Sequence, residues 1–316
     1  MLAPSPRRPI NRPRAGFTMI EILAVIVVIA ILIALLLPAI NGAQRTARIT
    51  QVRTEISVLE SAVATFKTTY GIQPPSRIVL YETAAGWNTD PTSRAAIRQM
   101  WPQFDFTYGS AGQIDLNGDS AFNSVTLSPA ESLIFFLGGM PTKSVVNGKD
   151  VFTLTGFSKS PLYPFAAATT GVKRDPSIYE FDVSRLKDLN TNGFPEYLDP
   201  LPGQTTPYAY YSGYEGDGYR PIEFGAPGLS EPYRQATAST SSPWKMKSFQ
   251  LLSPGFDHQF GFGGAFVADG VAANRLPFDA SQYPNTFTTS TPTTATRNLE
   301  SDNITNFFGS TLGGGK

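Results

Sequence analysis

Residues 17–40 read FTMIEILAVIVVIAILIALLLPAI. From Ile22 to Ile40 this stretch has 19 residues without a charged side chain. A helix of that length measures about 28 Å, close to the thickness of the hydrocarbon core of a bilayer. Because the stretch is apolar on every face, it predicts a helix surrounded by lipid or by other helices, and not one lying on a water-exposed surface.

The segment before this stretch is basic. Residues 1–16 read MLAPSPRRPINRPRAG, with four arginines, four prolines and no acidic residue. Prolines at that density disfavour a helix. The rest of the chain has 21 basic against 25 acidic residues. This asymmetry predicts that the basic head stays in the cytoplasm and the body leaves it, whereas the balanced total charge gives no indication of nucleic-acid binding.

Two ordinary explanations of this N-terminal segment are incomplete. A cleaved secretory signal has a shorter apolar core and a small-x-small cleavage site, which Asn41-Gly42-Ala43 matches poorly. An ordinary signal anchor explains the length and the arginines but not Glu21. A carboxylate at the centre of a membrane helix costs about 2.5–3.5 kcal/mol, and less near an end. Glu21 therefore requires a partner.

The motif around Glu21 resembles one known cleavage site. Residues 15–21, AGFTMIE, are similar to the motif of the type IV pilin and type II secretion pseudopilin superfamily. The resemblance implies that prepilin peptidase cuts between Gly16 and Phe17 and then N-methylates Phe17. Glu21 becomes the fifth residue of the mature chain and Pro38 the twenty-second, both positions at which that family carries these residue types.

The physical role of the motif can be stated from the residues. Cleavage creates an amine on Phe17, which is a counter-charge for Glu21 of the same chain or of a neighbouring subunit. Such a pair interacts far more strongly in a low dielectric than in water. Pro38 removes a helix donor and crowds the carbonyl of Ala34. It either only kinks the helix or lets it unwind when subunits pack, and both alternatives stay open.

The helix is predicted to continue beyond the apolar stretch. Spacings of three and four residues define one apolar stripe that covers the body: Ile49, Val52, Ile56, Leu59, Val63, Phe66 and Tyr70. Gly71 and the prolines behind it predict the end of the helix. The expected segments are a leader (1–16), a transmembrane and filament-core helix (17–40), an amphipathic second half (41–73) and a β-rich body (74–316).

The body is predicted to be loop-rich, with an aromatic core. It contains no cysteine, whereas the chain has 28 glycines, 26 prolines, 22 phenylalanines and 13 tyrosines. Ser128, Pro129 and Glu131 form a helix-start signature. Short strands are expected at 151–154, 178–183, 208–211 and 247–252, and residues 281–300 are expected to form a loop. The predicted fold is α+β, a long N-terminal helix packed on a small antiparallel sheet with long loop insertions.

Parts of the body resemble the major, G-type pseudopilins. These are the segments DP…PYAY (199–210), FQLLSPGFD (249–257) and DNITNF (302–307). In that family the last two close around calcium, which implies Ser253, Asp257 and Asp302 as ligands here. The chain departs from the pattern in long insertions, about 82–180 and 263–297, and in His258, which stands where that family carries glycine.

A second calcium candidate comes from spacing alone. Residues 188–199 read DLNTNGFPEYLD and place oxygen ligands as a calcium loop does. The ligands would be Asp188, Asn190, Asn192, the carbonyl of Phe194, Glu196 and Asp199. The alternative is a polar surface turn. Residues 115–119, DLNGD, begin in the same way but have Thr126 at the twelfth position. Calcium is therefore a possible cofactor.

No enzyme motif is found in the sequence. His258 is the only histidine and there is no cysteine, which excludes a multi-histidine or thiolate site. The tail GGGK lacks the earlier glycine and the following helix of a phosphate loop. We therefore expect no catalytic residues and a non-enzymatic protein.

The resemblance implies a structural subunit of a secretion pseudopilus. Its partners would be prepilin peptidase, copies of itself, minor pseudopilins, an inner-membrane assembly platform with its ATPase, and membrane lipid. It would cross the inner membrane once, with its leader in the cytoplasm and its body outside. The alternatives are a surface type IV pilus subunit for adhesion, motility or DNA uptake, and a membrane-anchored binding or enzymatic domain.

Overall fold

The computed structural model describes most of the chain. The described residues are 16, 18–225, 228–238, 241–268, 271, 274–277, 287 and 293–314. Residues 1–15 of the leader, Phe17 and much of the predicted loop at 281–300 lie outside them. The chain divides into two compact units, one ending at Ala47 and the other beginning at Arg48.

The first long element is helix α1, Met19–Tyr70. It confirms the predicted continuous helix and runs through Pro38 without interruption. Every side chain from Thr18 to Ile40 is exposed in the chain alone. We call Met19–Ile40 the membrane half of α1 and Arg48–Tyr70 its body half.

The body half of α1 has one buried face. The buried residues follow the predicted stripe, with one alanine added: Val52, Ile56, Leu59, Ala62, Val63 and Phe66. The helix ends where Gly71 adopts a φ of +80° and donates its N–H to the carbonyl of Lys67 at 2.9 Å. A left-handed residue directly after a helix is the usual terminator, and glycine adopts that conformation without strain.

The described part of the chain has four further α-helices, all of them short. Helix α4 begins with the predicted signature, because Ser128 accepts from the N–H of Glu131 at 3.4 Å and the Glu131 carboxylate accepts from the N–H of Ser128 at 2.6 Å. This reciprocal pair is a capping box. The four helices are α2 (Ala84–Trp87), α3 (Pro91–Met100), α4 (Pro129–Gly138) and α5 (Thr294–Asn298).

The described strands form four small antiparallel sheets: β1–β2, β3–β4, β5–β6 and the three-stranded β7–β8–β9. In the three-stranded sheet Tyr210 is paired with Leu251, and Ser253 with Ile304. The strands are β1 (Ile78–Tyr81), β2 (Ser124–Leu127), β3 (Pro141–Val146), β4 (Lys149–Leu154), β5 (Leu186–Lys187), β6 (Glu196–Tyr197), β7 (Ala209–Ser212), β8 (Phe249–Ser253) and β9 (Ile304–Thr305).

The α+β prediction is confirmed, with the strand pairing divided among several sheets. Three of the four expected strands occur within β4, β7 and β8, each with bounds shifted by one or two residues. The strand predicted at 178–183 is wrong. The N–H groups of Ile178 and Tyr179 both point to the carbonyl of Leu137, so this backbone bends instead of extending. The loop expected at 281–300 contains α5.

The described residues of the body form two clusters of buried apolar side chains. The larger one joins the buried face of α1 to α4 and to an aromatic group; Phe66 lies 5.5 Å from Phe136, and Phe135 lies 5.2 Å from Phe157, between ring centroids. The smaller one contains Tyr211, Tyr233 and Phe266 with the C-terminal Leu312. Burial of aromatic rings accounts for the abundance of phenylalanine and tyrosine in the sequence.

Candidate functional site

The N-terminal motif lies at the start of α1. The N–H and the hydroxyl of Thr18 donate to the Glu21 carboxylate at 2.8 and 2.9 Å, and the N–H of Glu21 donates to the Thr18 hydroxyl at 3.3 Å. Thr18 and Glu21 thus form a capping box, which the sequence analysis missed although Thr-x-x-Glu is its signature. In a single chain the two donors of Thr18 supply hydrogen bonds to the carboxylate, and neither of them is a positively charged group.

Gly16 is exposed and has open space around it. A Cβ added at this position would meet no heavy atom within 4 Å. Packing against the described residues therefore does not explain a glycine at this position. A protease that must bind the backbone closely does explain it, because glycine presents no side chain.

The membrane half of α1 presents a continuous apolar surface. Its large side chains remain about half exposed, among them Ile26 at 57%, Leu32 at 60% and Leu36 at 59%. By length and composition this helix is able to cross a membrane. A surface of this kind requires lipid or other helices around it.

Comparison with known families agrees with this geometry. Residues 11–37 match the prokaryotic N-terminal methylation motif. This match, together with the long apolar helix, fits the type IV pilin and pseudopilin family. The match contains Gly16, Phe17 and Glu21 and ends just before Pro38. No curated protein and no solved structure matches the chain.

The motif match has direct consequences. A prepilin motif implies processing by prepilin peptidase and assembly with copies of the same chain into a filament. Together with the apolar helix it also supports single-pass membrane anchoring.

The body half of α1 carries a second glutamate, Glu55, which the sequence analysis did not single out. Its carboxylate accepts from Tyr179 at 3.2 Å, from Tyr197 at 3.1 Å and from Tyr208 at 2.7 Å. It also pairs with Arg185, whose Nη1 lies 2.9 Å from Oε2. Burial and the charge of Glu55 raise the pKa of Tyr179 to about 12, so this hydroxyl remains a donor. These contacts join α1 to distant loops.

The side chains predicted as a calcium loop already have hydrogen-bond partners in the body. The Asp188 carboxylate accepts from the N–H groups of Asn192 and Gly193 at 3.1 and 3.0 Å. The side-chain amides of Asn190 and Asn192 donate to Glu131 at 2.8 and 2.6 Å. The amide oxygen of Asn192 accepts from the N–H of Phe194 at 2.9 Å. The oxygens of this loop are therefore largely occupied by internal hydrogen bonds.

Asp199, the twelfth residue of that loop, bonds to residues outside it. Its carboxylate accepts from Ser253 at 2.5 Å and from Gln204 at 2.8 Å. Burial raises the pKa of Asp199, although both hydrogen bonds oppose that change. Asp199 is thus grouped with Ser253 of the other candidate set, a neighbour that the spacing did not predict.

Glu196 is buried beside other acids. Its carboxylate accepts from the N–H of Leu189 at 2.9 Å. Burial raises the pKa of Glu196 to about 8, and the charges of Glu131 and Asp188 act in the same direction. The loop also packs against the second Asp-Leu-Asn segment, because the Cβ of Asn117 would lie 2.7 Å from a Cβ added at Gly193.

The C-terminal candidate set is closer together. The Asp302 carboxylate accepts from the N–H groups of Phe256 and Asp257 at 2.6 and 3.2 Å. Burial raises the pKa of Asp257 to about 6, and the charge of Asp302 adds to this. Across the described part of the chain, no three acidic or histidine side chains form a group able to hold a metal ion.

Proposed function

We propose that this protein is a structural, non-enzymatic subunit of a secretion pseudopilus. The observation that carries the proposal is the methylation motif joined directly to a helix whose membrane half has no covered side (residues 11–37 and Met19–Ile40). Helix packing between copies would cover this surface. The G-type segments at 199–210, 249–257 and 302–307 favour a pseudopilus over a surface pilus.

The proposed topology places the leader in the cytoplasm and the body outside the inner membrane. It is supported by four arginines before the apolar stretch and none within it. The proposed partners are minor pseudopilins and an inner-membrane platform whose ATPase moves the subunits. Each would act after prepilin peptidase has exposed the amine of Phe17.

N-terminal processing tests the first step of this proposal. In cells with an active prepilin peptidase, the extracted chain is expected to begin at N-methylated Phe17, as measured by intact mass and N-terminal sequencing. Gly16→Leu should retain the leader because its side chain obstructs the protease. A wild-type chain that keeps residues 1–16 would make this an ordinary anchored protein.

Localisation of the assembled subunit tests the second step. A pseudopilin at native abundance is expected in short filaments that remain within the envelope, and its deletion should block release of exported proteins. Long filaments that can be sheared from cells at native abundance, with secretion intact, would assign the chain to a surface pilus.

We also propose that calcium binds at the C-terminal set, with Asp257, Asp302 and a carbonyl such as that of Ser253 as oxygen ligands. The proximity of two partly desolvated carboxylates supports a hard cation there. The loop at 188–199 is a weaker candidate because its two asparagine side chains bond to Glu131 and its Asp199 bonds to Ser253 and Gln204.

Calorimetric titration of the chelator-treated protein with Ca²⁺ tests this choice. Binding is expected in wild type and in Asp188→Asn, and is expected to be lost in Asp302→Asn. Loss in Asp188→Asn alone would place calcium in the loop at 188–199, and no binding in wild type would remove calcium altogether.

A further inference from the structure

A groove of about 340 Å³ lies on the body between the body half of α1 and the segment that follows β9. Arg53, Ser57 and Glu60 line it from the helix, and residues 305–309 line it from the C-terminal segment. We call it the Arg53 groove. Two of its lining residues, Arg53 and Glu60, are charged. They differ in whether the chain itself supplies their partners.

Glu60 already has partners in the chain. Its Oε1 atom accepts from the side-chain amide of Asn306 at 2.9 Å and lies 3.4 Å from the ammonium group of Lys245. Asn306 is itself held in place, because its amide oxygen accepts from the N–H of Leu251 at 3.1 Å. The negative charge of Glu60 is therefore balanced within the body.

Arg53 is left without such a partner. The residue is exposed, and its guanidinium makes no hydrogen bond and no ion pair within the described residues. One of its terminal nitrogens lies 3.6 Å from the position that a Cβ on Gly309 would occupy. The guanidinium thus lies beside the backbone of Gly309, and its donors remain for an acceptor from outside the chain.

Free donors also lie on both walls of the groove. The N–H groups of Phe307, Phe308, Gly309 and Ser310 donate no hydrogen bond to any residue that the structure describes. The hydroxyl of Ser57, on the helix wall, has no partner in this part of the chain either. A guanidinium with N–H and O–H donors nearby favours an anion, and the planar fork of arginine matches the two oxygens of a carboxylate.

An exposed carboxylate lies at the other end of the body half. In the described part of the chain the side chain of Asp217 makes no hydrogen bond and no ion pair. It follows Glu215, which binds Lys67 at 2.6 Å, by two residues. Lys67 is 14 residues beyond Arg53, which is about 21 Å of helix. An acid at one end and a positive groove at the other are complementary between successive copies of the chain.

We propose that the Arg53 groove binds the Asp217 carboxylate of a second copy of this chain. The inference rests on the proposed filament, in which copies of the chain assemble. Each copy would present its groove to one neighbour and its Asp217 to the other. A contact between two different surfaces repeats from copy to copy, and it builds an open filament when it does not close into a ring.

Charge reversal in the full-length chain tests this contact. Arg53→Glu is expected to be processed as wild type is and to lower the filament yield by about tenfold or more, the usual effect of losing a charged hydrogen bond. Arg53→Lys keeps the charge and should lose less. Lys149→Glu is the matched control, because Lys149 is exposed and does not line the groove. Electron microscopy measures filaments, intact mass measures processing, and circular dichroism reports whether each variant is folded.

Wild type is the reference that separates the two proposals. If processed wild type forms no filaments, the proposed function fails and this contact fails with it. If wild type and Arg53→Glu form filaments equally well, the contact alone is overturned and the proposed function stands.

A charge swap identifies the partner of Arg53. Asp217→Arg alone should assemble as poorly as Arg53→Glu, whereas the double variant Arg53→Glu with Asp217→Arg should recover filaments. Glu180 is also exposed, and its side chain has no partner among the described residues. Recovery with Glu180→Arg, and not with Asp217→Arg, would overturn the assignment of Asp217.

Disulfide crosslinking measures the same contact directly, since the chain contains no cysteine. Ser57→Cys combined with Asp217→Cys is expected to give a ladder of multimers on a non-reducing gel after mild oxidation of membranes, because each copy contributes both surfaces. Ser57→Cys combined with Lys149→Cys is the control pair and should remain monomeric. Equal crosslinking of the two pairs, or none with Asp217→Cys, would overturn the proposal.

Discussion

The two halves of α1 show how one continuous helix can serve two environments. In the membrane half every side chain is exposed in the chain alone, and among the described residues its one acid, Glu21, bonds only to Thr18. In the body half six residues are buried, and Glu55 binds three tyrosines and Arg185. An acid bonded to distant parts of its own chain stabilises the fold. An acid at an exposed helix start, bonded to a neighbouring residue, remains available for another molecule.

This difference is tested first by replacing Glu21. Glu21→Ala is expected to be processed normally and to have the same body stability, yet to form few or no filaments, because the carboxylate is missing from the contact between subunits. Filament yield by electron microscopy and cleavage by intact mass are the measurements.

A second variant separates the charge from the capping box. Glu21→Gln keeps an acceptor for the N–H of Thr18, since glutamine also serves in a capping box, but it loses the negative charge. It should therefore fail to assemble as Glu21→Ala does. Normal filaments from Glu21→Gln would show that capping, and not charge pairing, is the role of Glu21.

Core substitution gives the largest expected effect on stability. Phe66 is fully buried against Tyr70 and Phe136, with ring centroids at 4.4 and 5.5 Å. Phe66→Ala is expected to lower the free energy of unfolding of the body by about 3–5 kcal/mol. Leu36→Ala, a truncation in the membrane half, should leave it unchanged. Chemical denaturation in micelles, followed by a spectroscopic signal from the body, measures the free energy of unfolding of both variants. Similar losses of stability would contradict the division of α1 into a membrane half and a body half.

The Glu55 contacts are expected to contribute somewhat less to the free energy of unfolding than the Phe66 side chain does. Its side chain is 12% exposed, and that of Arg185 is 20% exposed. Glu55→Ala should cost about 2–4 kcal/mol, between the values for surface and fully buried pairs, because Arg185 and three hydroxyls lose their acceptor. Glu60→Ala is the matched control, with a more exposed pair to Lys245 at 3.4 Å and an expected cost below about 1 kcal/mol. If Glu55→Ala and Glu60→Ala lowered the free energy of unfolding equally in chemical denaturation, a special role for Glu55 would be refuted.

The smallest change in stability is expected from an ion pair near the C-terminal end of the body half. Lys67 and Glu215 lie 2.6 Å apart with side chains 43% and 44% exposed. Partial burial acts to raise the pKa of Glu215, but the hydrogen bonds from Lys67 and from the N–H of Gln73 outweigh it and lower this pKa below 4.5. Its contribution is therefore present above pH 4.5 and lost as the pH falls through the lowered value. Glu215→Gln should cost about 0.2–1 kcal/mol at neutral pH.

Melting curves as a function of pH check the sign of this effect. The gap between wild type and Glu215→Gln should close on acidification. A gap that widens at low pH would mean that Glu215 is not stabilised as a carboxylate in the folded body.

The helix boundaries could be predicted because their causes are local. The apolar run, the stripe from Val52 to Phe66 and the terminator Gly71 each act within a few residues of chain, and so does the Ser128 to Glu131 capping box. The N-terminal motif could also be found, because a protease reads a short linear segment. The same local reasoning should have identified Thr18 as the partner of Glu21.

Contacts between distant residues could not be predicted in the same way. The sequence alone determined that α1 is one long helix, apolar all round in its first half and amphipathic in its second. Only the tertiary structure decided that Asp199 bonds to Ser253, that Glu55 meets Tyr208 and Arg185, and that the backbone at Ile178 turns toward Leu137. The reason is physical: a side chain takes the hydrogen-bond partner that folding brings to it, and spacing along the chain does not specify which loops converge.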